Sequence, residues 1–388
     1  MKKLFYIGAI GIALFEILNV YFIMPMPGSQ RMNSLDLAYF LYSYRWFFRV
    51  ALGLMIVVGA SSAFKASKWI PAVVAIIALV VTYMFNFRMS ADQMFKQPAN
   101  LVFKPQAENA LKDSSIVVGV EINGEVKAYP IQFIGYHHQI KDNVGGKSVI
   151  VTYCTVCRTG RVFEPMVKGK PEKFRLVGMD HFNAMFEDET TKSWWRQVNG
   201  EAVTGSLEGE LLPEVESFQM SINQLFKLYP TALVMQADDV AFEAEKYDSL
   251  AKYERGKSTG DLTRTDSLSW KDKSWVVGVE LDGKSKAYDW HQLKAERMLL
   301  DKIGTSVIAI ALASDDQSFA VFKVTDTVQV ILRNDSLFVG TRVYSFSGKS
   351  ADDNQSSLEK VKAYQEFWHS WRTFNPETEL YVSDRNQD

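Results

Sequence analysis

The chain has little of what marks a disulfide-rich, disordered or nucleic-acid-binding protein. Two cysteines in 388 residues exclude a scaffold held together by several disulfides. The 23 glycines, 11 prolines and 23% charged residues are ordinary amounts, which excludes collagen-like repeats and general disorder. A formal net charge of -2 disfavours a strongly basic nucleic-acid binder. We therefore predict no nucleic-acid partner.

Charge is scarce in residues 1–90, which carry eight basic and two acidic side chains, whereas the rest of the chain carries 35 basic and 43 acidic ones. Three apolar stretches lie there, Leu4–Met24, Leu37–Ala60 and Trp69–Phe87. Each is close to the ~20 residues that a helix needs to cross a bilayer. The first run is long and two more follow it, which favours a retained helix over a cleaved signal peptide. We predict a three-helix transmembrane anchor over residues 1–90.

The basic residues in the short loops between these spans predict the orientation. One side of the membrane would hold Lys2, Lys3, Lys65 and Lys68, and the other would hold Arg31 and Arg88. Positive residues accumulate on the cytoplasmic side, so the N-terminus is predicted inside and the soluble region outside. The membrane is thus the first predicted partner.

Two spans contain charges, which are costly in a bilayer and are usually paired. If the first span runs outward and the second inward, Glu16 and Arg45 lie at similar depth. We expect a Glu16–Arg45 pair, shared with Arg49 one turn deeper. The alternative is that both arginines extend to the membrane surface.

After a polar linker at 91–113, the pattern changes to short strands separated by turns. Ile116–Ile122 and Glu125–Pro130 flank Asn123-Gly124, a dipeptide typical of a two-residue hairpin turn. The segment returns later, because Val117–Gly124 is matched by Val276–Gly283. We predict a β-rich α+β region of two tandem homologous lobes, a first lobe at 114–237 and a degenerate second lobe at 273–388, joined by a polar segment at 238–272.

The second copy lacks the residues from which a site would be built, so we expect any site in the first lobe. Cys154-x-x-Cys157 directly follows a buried-looking strand, and three interpretations compete. A redox pair would act through its thiolates, although the following residues predict a turn into a strand and not a helix. A metal site would add His181 or His137 to the two sulfurs and would suit a soft ion such as copper, or zinc. A structural disulfide is the third interpretation, and it is compatible with an oxidising compartment.

Other polar side chains of the first lobe are candidates for a pocket wall. An aromatic and charged run follows Asp188 and contains Trp195 and Arg196. The alternative is that these tryptophans belong to the core or support the arginine by stacking. Arg158, beside the second cysteine, and Glu201 complete the candidate pocket.

These motifs resemble the bacterial family called domain of unknown function 3179, over about residues 110–388. The resemblance rests on Val117–Pro130, on His137, on Val151-Thr152-Tyr153-Cys154-x-x-Cys157 and on the segment from Ser193 to Gly209. It implies no established activity. The family pattern maps onto His137, Cys154, Cys157, Asp188, Trp195 and Glu201. Thr155 and His138 depart from it, and His181 stands where many members have Asn, so a metal role for His181 would not be general to the family.

We expect a protein of the bacterial inner membrane, with a cytoplasmic N-terminus and periplasmic lobes. The preferred function is thiol redox, or redox-linked binding, at Cys154 and Cys157 in the cell envelope. The first alternative is a soft-metal binding protein. The second is a non-catalytic scaffold or assembly protein with a structural disulfide, whose partners would be other envelope proteins.

Overall fold

The computed structural model describes residues 1–237, 241–325 and 329–382. The helices in these ranges are α1 (Lys2–Tyr21), α2 (Leu35–Ser43), α3 (Arg45–Ala66), α4 (Trp69–Tyr83), α5 (Ala91–Met94), α6 (Ile131–His137), α7 (Ile222–Leu228), α8 (Ala241–Glu254), α9 (Trp290–Glu296) and α10 (Trp368–Phe374). A π-helical turn, Met84–Arg88, extends α4.

The strands of the first half are β1 (Val102–Lys104), β2 (Ile116–Ile122), β3 (Glu125–Pro130), β4 (Gln139–Val144), β5 (Lys147–Cys154), β6 (Thr159–Phe163), β7 (Met166–Val167), β8 (Lys170–Pro171), β9 (Phe174–Asp180), β10 (Asn183–Asp188), β11 (Trp194–Arg196), β12 (Ala202–Thr204), β13 (Ser217–Ser221) and β14 (Leu233–Gln236). Those of the second half are β15 (Trp275–Leu281), β16 (Lys284–Asp289), β17 (Met298–Ile303), β18 (Ser306–Leu312), β19 (Phe319–Val324), β20 (Val330–Arg333), β21 (Ser336–Val339), β22 (Arg342–Ser345), β23 (Ala363–Phe367) and β24 (Glu379–Leu380). The prediction of apolar helices followed by a β-rich region is confirmed.

The chain forms two compact units. The first unit combines Met1–Lys96 with Val167–Leu211, and the second combines Gln97–Met166 with Leu212–Asp388. The units differ from the predicted lobes because Val167–Leu211, which lies inside the predicted first lobe, packs with Met1–Lys96. The predicted limits at 238 and 388 fall outside the described residues.

Three helices of the first unit are long and apolar enough to cross a membrane: Lys2–Tyr21, Arg45–Ala66 and Trp69–Arg88. Their outer surfaces carry large apolar side chains, and Trp69 is 82% exposed. The second long apolar helix, α3, begins at Arg45 and not at Leu37 as predicted, because the chain leaves helical geometry at Tyr44, between α2 and α3.

The prediction that Glu16 pairs with Arg45 is wrong, because the arginine that pairs with Glu16 is Arg49. The Glu16 carboxylate accepts hydrogen bonds from Arg49 Nε at 2.7 Å and Arg49 Nη2 at 2.9 Å. Asn86 Nδ2 donates to the same carboxylate at 2.9 Å. Arg45 instead donates from Nη1 to the carbonyl oxygen of Tyr42 at 2.6 Å. The deeper arginine, which we expected to share the pair, is therefore the main partner.

The first unit also contains a four-stranded sheet in the order β12-β11-β10-β9. Its buried side chains Val177, Met185 and Trp194 pack with Ile23 and Ala38, from the end of the first span and from α2. A backbone hydrogen bond from Met179 N to Ile23 O, 2.8 Å long, joins the sheet to the segment after α1. The segment after α1 and the helix α2 thus share one hydrophobic core with this β-sheet.

The second unit contains a five-stranded sheet, β1-β14-β3-β2-β13, and a four-stranded sheet, β24-β16-β15-β23, whose order matches the last four strands of the first. In each, the central hairpin is antiparallel and the strand outside its second member is parallel. The predicted hairpin is confirmed, with Val117 opposite Pro130 and positive φ values of 51° and 83° at Asn123 and Gly124. Each central hairpin is followed in the chain by a three-stranded sheet, β4-β5-β6 or β17-β18-β19.

Candidate functional site

The two cysteines lie on a tight turn between β5 and β6. Cys154 ends β5 and is paired with Thr159, the first residue of β6, so the intervening residues form the hairpin loop. Arg158 has a φ of 57°, which reverses the chain at the second cysteine. The predicted turn into a strand is therefore confirmed. Both cysteines are fully buried, and their sulfurs are not joined in a disulfide.

The backbone between the cysteines is held by a lysine and a histidine from the second half of the chain. The carbonyl oxygen of Val156 lies 2.7 Å from Lys273 Nζ and 2.9 Å from His369 Nε2. Lys273 Nζ also lies 2.6 Å from Leu262 O and 3.2 Å from His369 Nε2. A carbonyl oxygen only accepts, so the Nε2 of a neutral His369 carries the proton and donates to Val156 O. A protonated Lys273 donates to two carbonyl oxygens, those of Val156 and Leu262.

The charges at this turn are coupled to the two sulfurs. Burial lowers the pKa of Lys273 to about 8, and negative charge on Cys157 and Cys154 opposes that shift. Burial, followed by the charge of Lys273, lowers the pKa of His369 to about 4. At neutral pH the lysine is therefore a buried cation and the histidine is uncharged. Coulombic coupling is mutual, so the ammonium favours negative charge on the sulfurs.

The end of β23 closes the same turn. Phe367 N donates to the carbonyl oxygen of Cys157 at 2.8 Å. The ring of Phe367 lies 4.6 Å from Lys273 Nζ, within cation–π distance. We call Cys154, Cys157, Lys273 and His369 the cysteine cluster. Two of its members come from the first half of the chain and two from the second half.

Arg158 fixes the far side of the cysteine turn. Its side chain is fully buried and donates from Nε to Gln365 Oε1 at 3.0 Å and from Nη2 to the carbonyl oxygen of Glu254 at 2.8 Å. The guanidinium stacks on Trp275, with its carbon 3.5 Å from the ring centroid. These contacts make Arg158 a positioning residue that ties the turn to β15, β23 and α8.

A comparison with protein-family models identifies the family of this chain, and the matched region contains the whole cysteine cluster. A family model described as protein of unknown function (DUF3179) matches residues 98–378. The chain belongs to the DUF3179 family. The match includes the cysteine turn, Lys273 and His369, and it excludes the three long apolar helices. No curated protein and no solved structure matches this DUF3179 chain.

The histidines predicted as metal ligands have other partners. His137, at the end of α6, has its Nε2 2.5 Å from the Tyr247 hydroxyl. His181 belongs to the first unit, where Nδ1 lies 2.7 Å from Asp180 Oδ1 and Nε2 lies 3.2 Å from Asn33 Oδ1. The hydrogen bond to Asp180 raises the pKa of His181. Within residues 1–237, 241–325 and 329–382, no group of three His, Cys, Asp or Glu side chains is placed to hold a metal.

Asp188 and Trp195 lie in the interior of the first unit. Asp188 is fully buried and accepts hydrogen bonds from Thr191 Oγ1 at 2.8 Å, Lys192 N at 3.1 Å and Trp195 Nε1 at 3.0 Å. Trp195 is 1% exposed and packs edge-on against Phe174. These contacts hold the β10–β11 turn together.

Arg196 and Glu201 lie together at the edge of the same sheet in this DUF3179 protein. Arg196 pairs with Asp180 at 2.7 Å and with Glu201 at 3.5 Å. Both line a shallow depression together with Glu208 and Gly209. They are partly exposed, unlike Asp188 and Trp195.

Sequence analysis missed Lys273 and His369, which lie far along the chain from the two cysteines. The structure shows similar backbone contacts in the two halves: Asn223 N bonds to Asp113 O, and His369 N bonds to Asp272 O, both at 2.9 Å. His369 thus makes a backbone contact like that of Asn223.

Proposed function

We propose that this DUF3179 protein carries a thiol redox pair, Cys154 and Cys157, in the cell envelope. The observation that supports it best is the buried ammonium of Lys273 at the turn between the two cysteines. A cation beside a thiol favours the thiolate, which is the nucleophile in disulfide exchange.

The proposed reaction is a two-electron exchange with a disulfide of another envelope protein. One thiolate attacks the partner's disulfide, forms a mixed disulfide and releases one partner thiolate. The second cysteine then attacks the mixed disulfide, closes the Cys154–Cys157 bond and releases the other partner thiolate. The pair loses two electrons and two protons, and the partner's disulfide becomes a dithiol. The reverse reaction, with the same balance, would oxidise a partner dithiol.

Access to the sulfurs requires movement, because both cysteines are fully buried. Lys273 links the cysteine turn to Leu262 in the polar connecting segment through its 2.6 Å hydrogen bond. Breaking this hydrogen bond would loosen one contact at the turn and leave the bond from Lys273 Nζ to Val156 O in place. Exchange would therefore be slow in the closed protein, and partner docking would have to favour the open one.

The envelope location is part of the proposal. Three helices have the length and hydropathy to cross a membrane, and their flanking lysines favour a cytoplasmic N-terminus. The second unit then lies outside the cytoplasm, in a bacterial periplasm, where disulfides persist. Its partners would be the membrane and other envelope proteins.

We also infer that the second unit arose by duplication of one β-rich lobe. Matching strand order supports this inference, as do the equivalent hydrogen bonds at Asn223 and His369. At equivalent positions, a Cβ on Gly119 would meet the ring of Phe218 at 2.0 Å, and one on Gly278 would meet that of Trp371 at 2.1 Å. The degenerate copy would then have become the part that supplies His369 to the cysteine cluster.

Complete burial of both cysteines favours a second candidate, a non-catalytic scaffold in which the pair is structural. Its disulfide would then have a reduction potential below about -300 mV. Copper or zinc binding, the other alternative, would need ligands beyond those that the described residues bring together.

Redox titration of the full chain in detergent separates these functions. The protein is equilibrated with dithiothreitol buffers of known potential, and the cysteines are then alkylated under denaturing conditions and counted by mass spectrometry. We expect a midpoint above about -300 mV, and we expect Lys273→Met to lower it by roughly 30 mV or more, because the reduced pair loses its stabilising cation. Lys271→Met, at an exposed neighbour, is the matched control.

The redox function would be overturned in favour of the scaffold if the midpoint lies below about -300 mV and Lys273→Met does not change it. Melting curves of both lysine variants, recorded with the pair reduced, show whether each one is folded. Stoichiometric copper or zinc in the purified protein, lost in Cys154→Ser, would instead support metal binding.

A further inference from the structure

The first unit contains a cavity of about 300 Å³ where α1 ends, α3 begins and the π-helical turn follows α4. A volume of ~30 Å³ per water molecule makes it large enough for a small polar group. The polar residues used in the argument below all line it: Asn19, Arg45, Arg49, Asn86, Asp92 and Arg175.

Two of the three arginines at this cavity are neutralised by carboxylates. Arg49 pairs with Glu16 at 2.7 Å. Arg175 pairs with Glu187 at 2.9 Å and with Asp92 at 3.3 Å. Three arginines and three carboxylates therefore meet here, and they leave the surroundings close to neutral.

Arg45 is the arginine without a carboxylate. In the described ranges no carboxylate lies within ion-pair distance of it. Its Nη1 donates to Tyr42 O at 2.6 Å, and its guanidinium lies 3.9 Å from the Tyr42 ring centroid. A guanidinium has five N–H donors, arranged to match phosphate oxygens.

Asn19 supplies an independent sign of a missing ligand. It is 8% exposed and lines the cavity, and in the part of the chain that the structure describes its Oδ1 has no hydrogen-bond partner. A buried amide oxygen without a donor destabilises the folded protein. A ligand with an N–H group at this point would remove that cost.

We propose that the cavity binds the headgroup of an aminophospholipid, with the phosphate at Arg45 and the ammonium at Asn19 Oδ1. The neutral balance of the other charges favours a zwitterion over an anion. The exposed aromatic residues Trp46 and Phe47, which follow Arg45 on α3, fit the headgroup region of a membrane, where aromatic side chains are enriched. The proposal rests on insertion of the three helices in a bilayer, as proposed above, and does not depend on the redox function.

Native mass spectrometry of the full chain in detergent tests this site. Phosphatidylethanolamine, phosphatidylglycerol and inorganic phosphate are titrated separately. We expect one phosphatidylethanolamine to bind per chain, more tightly than either competitor. Arg45→Gln and Asn19→Leu should each weaken its apparent affinity about ten-fold, the effect of one charge-assisted hydrogen bond. Asn19→Asp keeps the acceptor and should retain binding.

Arg31→Gln is the matched control, since Arg31 is exposed and does not line the cavity. Equal binding of the two lipids, binding of inorganic phosphate alone, or no response to Arg45→Gln and Asn19→Leu would each overturn the proposal. Melting curves confirm that the variants are folded. Carbonate extraction of membranes tests insertion separately, so loss of the anchor is distinguishable from loss of the lipid site.

Discussion

Lys273 and His369 are 96 residues apart and lie 3.2 Å from each other on one backbone carbonyl, that of Val156 between the two cysteines. The position of the cysteine turn therefore depends on residues that lie far from it in the sequence. It also gives the turn a charge that changes in a defined pH range.

The effect of Lys273 on the cysteine pair should disappear at high pH. Its pKa is lowered to about 8, so the ammonium stabilises the reduced pair below that pH and is lost above it. We expect the reduction midpoints of the wild type and Lys273→Met to differ at pH 7 and to converge by pH 9.5, after subtraction of the common proton dependence. Equal separation at both pH values would show that the lysine acts through packing and not through charge.

Glu254 should make the protein less stable as the pH rises from about 4.5 to 7. Burial raises the pKa of this carboxyl from 4.5 to about 7, so the folded state holds a proton that the unfolded state releases in that range. The stabilisation is full below pH 4.5 and lost above pH 7. Glu254→Gln should therefore be more stable than the wild type at pH 8, by about 1–3 kcal/mol.

Denaturant unfolding at several pH values measures the Glu254 effect. Glu108→Gln, at an exposed glutamate, is the control. Parallel stability curves for the wild type and Glu254→Gln would contradict the shifted pKa.

Glu16 and Arg49 should show energetic coupling, whereas Glu16 and Arg45 should not. Removing one member leaves the other charge in the helix bundle without its ion-pair partner, although Asn86 still bonds to it. A double-mutant cycle with Glu16→Gln and Arg49→Met should give a coupling free energy of about 1–2 kcal/mol in detergent unfolding. The same cycle with Arg45→Met is the control, and coupling there would restore the pair that the depth of the two residues suggested.

Asp188 should act on the stability of the first unit and leave the thiols unchanged. Asp188→Asn weakens hydrogen bonds from Thr191, Lys192 and Trp195, so we expect a loss of roughly 1–3 kcal/mol in the free energy of unfolding. Trp195→Phe, which removes one of those donors, should cost less. A shift of the cysteine midpoint in folded Asp188→Asn would instead link this residue to the redox site.

Local patterns predicted the hairpins and the apolar helices well. Asn123-Gly124 adopts the positive φ angles that its turn requires, and three apolar stretches form helices of bilayer length. Both features depend on residues close together in the chain. Pairing across helices was less predictable. Depth along the bilayer placed Glu16 near both arginines, but the side chain of Arg45 folds back on Tyr42, which leaves Arg49 as the partner.

The sequence by itself determined that three apolar helices form, where the central hairpin turns and which motif is unusual, because composition and turn chemistry act over a few residues. Only the tertiary structure decided what surrounds that motif. Burial of Cys154 and Cys157 brings Lys273 and His369 to Val156, because the polar groups of a buried loop must find partners wherever the fold supplies them. Burial of apolar surface likewise joins the sheet of β9–β12 to the segment after α1, where Val177 and Trp194 share a core with Ile23. Such partners are separated by many residues, and no local pattern specifies them.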